Sequence, residues 1–165
     1  MSISTIGYEG ADLGDFVQTL KTVEIGIVID IRDRAQSRRR GFSKSALEAT
    51  LADAGIGYVH YRELGDPKEG REAARNGEFE AFRRIFFKVL ETSAAQHAIQ
   101  DIIEIAANKN VCLLCYERDQ SHCHRKLVAD RIESMTGTRA RHLGVRQFEQ
   151  NRKQAGRMLD TRQTS

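Results

Sequence analysis

Apolar residues along this chain recur in two alternating rhythms. Ser2 to Ile6 is a short apolar run that predicts a strand. From about Asp12 to Val23, Leu13, Phe16, Val17 and Leu20 fall on one face of a predicted helix. Asp12 is placed to cap that helix by accepting from free backbone N–H groups, with Asp15 three residues on as its capping-box partner. The β-branched run Ile25 to Ile31 has the make-up of a strand buried on both faces. Ser43 then predicts the N-cap of a helix to about Ala54, in which Leu47 and Leu51 share a face, and Gly55 and Gly57 end it. Tyr58 to Tyr61 reads as a strand, Phe79 to Leu90 and Ala94 to Ala107 as helices, and Val111 to Cys115 as a further buried strand. Arg125 to Met135 predicts a helix, Thr138 to Leu143 a last strand, and Val145 onward a final helix.

Strands separated by helical stretches imply parallel crossovers. The expected fold is therefore α/β: a single-domain, Rossmann-like, doubly wound and mostly parallel sheet with helices on both faces. No repeat, low-complexity tract or linker divides the chain, so residues 1–151 read as one domain and 152–165 as a polar tail. The interval from Glu63 to Gly77, highly polar and holding the chain's only proline, Pro67, is expected to be a mobile loop or lid.

Composition narrows the class. The 165 residues are 40% hydrophobic and 30% charged, too apolar for a disordered chain, and no run approaches the roughly 20 apolar residues of a membrane span. The N-terminal residues have neither the basic nor the apolar region of an export signal, so a cytoplasmic protein without membrane attachment is expected. A net charge of +3 is ordinary, but Arg32, Arg34, Arg38, Arg39, Arg40 and Lys44 crowd one segment. The three cysteines, Cys112, Cys115 and Cys123, also fall close together. Without an export signal, such clustering favours chemistry or metal over a disulfide framework.

In a parallel sheet the segments that follow the strands share one edge, where ligands of open α/β folds bind. Tyr8 and Glu9 follow the first strand, flanked by Gly7 and Gly10. Asp30 and Arg32 end the second, His60 lies in the third, Cys115 and Glu117 end the fourth, and His142 lies in the fifth. The arginine run can fork donors onto phosphate oxygens, and Ser43 with Lys44 opens a helix whose free N–H groups favour an anion. The P-loop spacing is absent. In isolation such a run reads more readily as a solvated basic loop; its placement beside the other strand ends brings the two readings level. Cys115 at a strand end beside Arg118, His124 and Arg125 is a candidate thiolate nucleophile, with His124, Glu117 or Glu9 moving protons. The residue six after Cys115 is Ser121, which rules out the Cys-x5-Arg loop of cysteine phosphatases. Cys115, His122, Cys123 and His124 carry enough sulfur and nitrogen for zinc. Chain neighbours rarely all face one ion, however, and no second pair is spaced like a zinc finger, so no metal and no cofactor is expected. Cys112 reads as a small buried hydrophobe. Cys123 reads equally well as a helix-start residue packed on the sheet, and His60 and His142 as hydrogen-bonded structural histidines.

Taken together, the segments Thr5 to Gly10, Asp30 to Arg32, Ser37 to Arg39, Gly41 to Lys44, Gly57-Tyr58, His60, Leu64-Gly65, Leu114 to Glu117, Cys123 to Arg125 and His142-Leu143 resemble the domain-of-unknown-function family numbered 488. Asp33 and the lack of proline between Arg32 and Ser37 depart from that pattern. The resemblance implies a compact α/β domain with a polar site made of these residues. It also carries an association of relatives with methylated or otherwise altered nucleic-acid bases, the chemistry of DNA repair. The leading expectation is therefore a nucleic-acid-associated protein that recognises or processes an altered base. Arg32, Arg38, Arg39 and Lys44 would hold phosphate, with Tyr8, Asp30, His60 and Arg125 beside them. Cys115, Glu117, Glu9 and His124 are the catalytic candidates, and Cys123 and His142 are additional ones. The alternatives are a cysteine-dependent enzyme acting on a small phosphorylated or nucleotide substrate, and a non-catalytic binding domain. The oligomeric state is left open.

Overall fold

A computed structural model describes residues 1–149. Five strands, β1 (Ile3–Gly7), β2 (Ile27–Asp30), β3 (Gly57–His60), β4 (Val111–Cys115) and β5 (Arg141–Leu143), form one sheet in the order β3-β2-β4-β1-β5. Every pairing is parallel, with Gly7 beside Cys115 and Asp30 beside Leu114 at the carboxyl ends.

The side-chain period of two sorts the strand residues onto two cores. Ile6, Val28, Cys112 and Leu114 face α1 (Leu13–Thr22) and α2 (Lys44–Asp53), which contribute Phe16, Leu20, Leu47 and Leu51. Ile3, Ile29, Leu113 and Val111 face α3 (Lys68–Arg75), α4 (Phe79–Leu90), α5 (Ser93–Ala106) and α6 (His124–Thr136), which contribute Ala73, Phe86, Ile99 and Val128 among others. Burying each such large side chain contributes about 1.5–3 kcal/mol, and the two layers clamp the sheet between them. The fold is Rossmann-like α/β, as the alternation of periods predicts.

Three local expectations change. The polar interval 63–77 is not an open loop: after a short 3-10 turn over Arg62–Leu64 it forms α3. Glu, Ala and Arg are good helix formers, and Pro67 takes the N-cap, where its missing N–H costs nothing. Ser43 does stand at the N-cap of α2, as expected, although without a side-chain cap; its Oγ donates to the Ser37 carbonyl and accepts from the Ser37 N–H, at 3.2 and 3.0 Å. Residues 145–148, where the final helix is expected to begin, are not helical, and from residue 150 on that expectation lies outside the described residues. The Arg146 and Phe148 N–H groups donate to Thr19 Oγ1 and Asp15 Oδ1 of α1, which takes Asp15 out of the predicted capping box while Asp12 still accepts from the Asp15 N–H. The tail 152–165 lies outside the described residues. No helix among the described residues is long and apolar enough to cross a membrane.

Candidate functional site

In this strand order β4 lies between β2 and β1, and its outgoing chain turns to α6 on one face while theirs turn to α1 and α2 on the other. Connections that part to opposite faces leave a crevice at the carboxyl edge. The crevice holds a cavity of about 610 Å³ lined by Tyr8 and Gly10 after β1, residues from Arg32 to Arg39 after β2, Asp66 and Arg71, Cys115 to Glu117 after β4, and His124.

The wall on the α1 side is a charged network sunk in apolar surroundings. Asp30 is fully buried and holds Arg32 through Nε and through a 2.7 Å ion pair; Arg32 also donates to the Tyr8 hydroxyl at 3.1 Å and the Phe42 carbonyl at 2.7 Å. Burial opposes the Arg32 charge, but Asp30 outweighs it and the guanidinium is held more firmly protonated than usual. The Tyr58 hydroxyl donates to Asp30 at 2.5 Å, and burial followed by this carboxylate pushes the phenol up. Phe42 stacks on Tyr8 with ring centres 4.5 Å apart and meets Phe16 edge-on, pinning the arginine loop to the core. Most donors of Arg32 are thus committed inside the protein, whereas Arg34, Arg38 and Arg39 are exposed at the mouth. The Nε of Arg39 is anchored on the Ala11 carbonyl.

The floor on the α6 side is built from sulfur, imidazole and guanidinium. Cys115 and Cys123 are joined as a disulfide, their Cα atoms 7.5 Å apart, so that the clustering read above as chemistry or metal is a bonded pair here. Cys123 is the N-cap of α6, its sulfur accepting from the Arg125 N–H at 3.5 Å. Arg125 is fully buried; its guanidinium donates to Thr5 Oγ1, Cys115 Sγ (3.2 Å), and the Glu117 and Arg118 carbonyls. No carboxylate among the described residues lies within ion-pair distance of it, and burial lowers its proton affinity. His124 Nε2 faces the Ile31 carbonyl at 2.7 Å, so it carries the proton, and Nδ1 turns its lone pair towards Cys123 Sγ at 3.7 Å. Burial holds this imidazole neutral, down to about 4. The donor atoms of Cys115, Cys123 and His124 lie within 4.8 Å of one another, a three-ligand set for a soft metal once the sulfurs part, although the Arg125 cation opposes it. His122 is elsewhere, stacked on Phe79 at 4.9 Å.

Two residues that sequence reasoning passed over complete the wall. Asp66 Oδ1 is, among the described residues, the one buried side-chain oxygen or nitrogen without a hydrogen-bond partner. Burial, then the nearby Glu117 charge, pushes this carboxyl up to about 7, and burial also raises Glu117. Arg71 on α3 donates to the Asp66 carbonyl at 3.0 Å and pairs with Asp33 at 3.2 Å, tying α3 to the arginine loop. Only the folding back of α3 brings them here. Pro67 after Asp66 was the single local hint of a fixed turn.

Of the predicted residues, Tyr8, Arg32, Arg38, Arg39, Cys115, Glu117 and His124 line this cavity, with Asp30, Cys123 and Arg125 directly beneath. Lys44 and His60 line an adjoining depression that shares Arg34 with the cavity, and His60 Nε2 bonds the Arg32 carbonyl at 2.6 Å. Glu9 lies in a groove on the other side, with Arg39 and Arg118, and accepts from the Arg118 N–H at 3.0 Å. His142 stands apart on β5, bonded to Thr5 Oγ1 at 2.7 Å.

A family model described as "Domain of unknown function DUF488" matches residues 12–132. Comparison with curated proteins and with solved structures gives no match.

Proposed function

The chain belongs to the DUF488 family, and we propose that it is a nucleic-acid-associated protein that takes one altered nucleotide of a strand, for example one bearing a methylated base, into the cavity. One observation carries this reading. The exposed cations of the arginine loop serve three concave surfaces in a row: Arg34 is shared by the cavity and the Lys44–His60 depression, and Arg39 by the cavity and the Glu9–Arg118 groove. A single phosphate needs no more than one of these; a sugar-phosphate backbone uses all three.

The remaining parts take roles consistent with it. Tyr116, 48% exposed at the rim and meeting Tyr8 edge-on at 5.4 Å, is a platform on which a base can stack. A volume near 610 Å³ admits one nucleotide drawn out of its stack. Inside, the Asp66 carboxyl, pushed up to about 7, can both donate to and accept from base edges, Glu117 beside it presents a carboxyl that burial raises, and Cys115, once its bond to Cys123 is reduced, lies at the floor as the candidate nucleophile. The enclosed Asp66–Glu117 wall also favours a second reading, a cysteine-dependent enzyme that takes a small phosphorylated or nucleotide substrate and uses the arginines on one or two phosphates.

Titration of a labelled single strand carrying one methylated base, the same strand unmodified, and the matching mononucleotide separates them. The proposal expects the modified strand to bind at least about tenfold more tightly than the mononucleotide, because flanking phosphates add contacts. Equal affinities would support the small-substrate reading instead.

A further inference from the structure

The disulfide at the cavity floor sits where a structural staple has least to do. It joins residues only eight apart, and closing so short a loop removes less freedom from the unfolded chain than closing a long one. It is also not on the surface: Cys115 is 1% and Cys123 2% exposed, and Cys115 lines the cavity, which gives a small reagent a way to it.

Each sulfur faces a group that stabilises its anion. The Arg125 guanidinium, which has no carboxylate within ion-pair distance among the described residues and feels Glu117 and Asp119 only at longer range, donates to Cys115 Sγ at 3.2 Å, so a thiolate there would be a counter-charge in direct contact with this buried cation. Cys123 Sγ occupies the N-cap of a 13-residue helix and receives a backbone N–H, placing its anion at the positive end of the helix dipole. The third cysteine has neither. Cys112 is fully buried in the opposite core, its thiol pushed up by burial, and its sulfur faces only the Leu113 carbonyl.

From this arrangement we propose that Cys115 and Cys123 form a reversible two-electron redox centre, a dithiol that a hydroperoxide entering through the cavity oxidises to the disulfide and that a small dithiol reduces again. The Cys115 thiolate attacks a peroxide oxygen; an S–O bond forms, the O–O bond breaks, and the departing hydroxide or alkoxide takes a proton from water. The Cys123 thiolate then attacks the sulfenic sulfur; the S–S bond forms, the S–O bond breaks, and hydroxide leaves to become water. In reduction a small thiolate attacks Cys115 from the cavity and Cys123 departs as the thiolate its helix stabilises; the second thiol of the reductant then releases Cys115. Because the bridged segment carries Tyr116 and Glu117, the redox state also sets how firmly that wall of the cavity is held.

The centre stands apart from the nucleotide reading, since its readouts are taken without nucleic acid. The reduced full chain is exposed to stoichiometric hydrogen peroxide at neutral pH under conditions that keep it folded, then quenched with acid and read by intact mass and by a free-thiol count in denaturant. The wild type is expected to become about 2 Da lighter, to fall from three thiols to one, and to be restored by dithiothreitol without denaturant. Cys123→Ser should instead hold a sulfenic acid on Cys115 that a dione reagent traps, and Cys115→Ser should react at least about tenfold more slowly. Cys112→Ser should behave as the wild type. A disulfide that fails to form in the folded protein, or that yields to reductant only after unfolding, would overturn the proposal. So would protection of both thiols by a bound metal that a chelator removes.

Discussion

The Asp66 carboxyl is held near 7 inside the cavity wall, against the ordinary carboxylate value of 3.8 that it regains in the unfolded chain. Over that window the folded state keeps a proton the unfolded state has released. The associated stability is complete below pH 4 and is lost as pH rises through 7. Asp66→Asn removes the titration while keeping the shape. Urea unfolding should show the wild type losing about 2–3 kcal/mol relative to this variant between pH 5 and pH 8; parallel curves would mean the carboxyl is ionised throughout. His124 works in the opposite direction, losing stability as pH falls below 6.5 towards 4, which is why the difference between the two proteins is the quantity to follow. Residue chemistry was partly legible in the sequence. The pairing of Asp30 with Arg32 follows from two positions at one strand end, and the catalytic candidates after β4 do gather. Arg125 was legible only as a charge near Cys115, because an arginine at a helix start gives no sign that it will be fully buried under the sheet edge.

Between elements, the closest fit in the site is the crossing of the β1 end with the segment after β4. A Cβ on Gly7 would overlap the Glu117 carbonyl and the Arg125 guanidinium, so only glycine lets the two chain ends lie side by side. Gly7→Ala should therefore cost about 1–3 kcal/mol or more in chemical unfolding and shift Glu117 out of the cavity wall; an unchanged midpoint would show that the segment moves aside freely. The same crossing explains a limit of sequence reading. Strands and the helices with apolar stripes could be placed because periodicity is local, whereas α3, with its polar sequence KEGREAAR, carries almost no apolar stripe to reveal it and was expected to be a lid. Its burial of Gly70 and Ala73 against the core makes it a fixed wall.

At the scale of the whole molecule, the sheet order decides where chemistry can occur. Outgoing segments from β1, β2 and β4 meet at one edge because β4 is inserted between two strands that send their chains to the other face. The alternation of strands and helices predicted the edge. It did not predict the order, which depends on long-range pairing, nor therefore that His142 on the outer strand β5 would stand away from the cavity. The cations of the arginine loop lie along this edge, and the nucleic-acid proposal rests on their acting together on successive phosphates. Its most direct test is the salt dependence of single-strand binding by the wild type and by Arg38→Ala/Arg39→Ala, each anchored by a check that the fold is intact. The account predicts a steep fall of affinity with salt in the wild type and a logarithmic slope shallower by about 1.4 in the double variant, two phosphates' worth. Equal slopes, or binding in the wild type that does not change with salt, would contradict it.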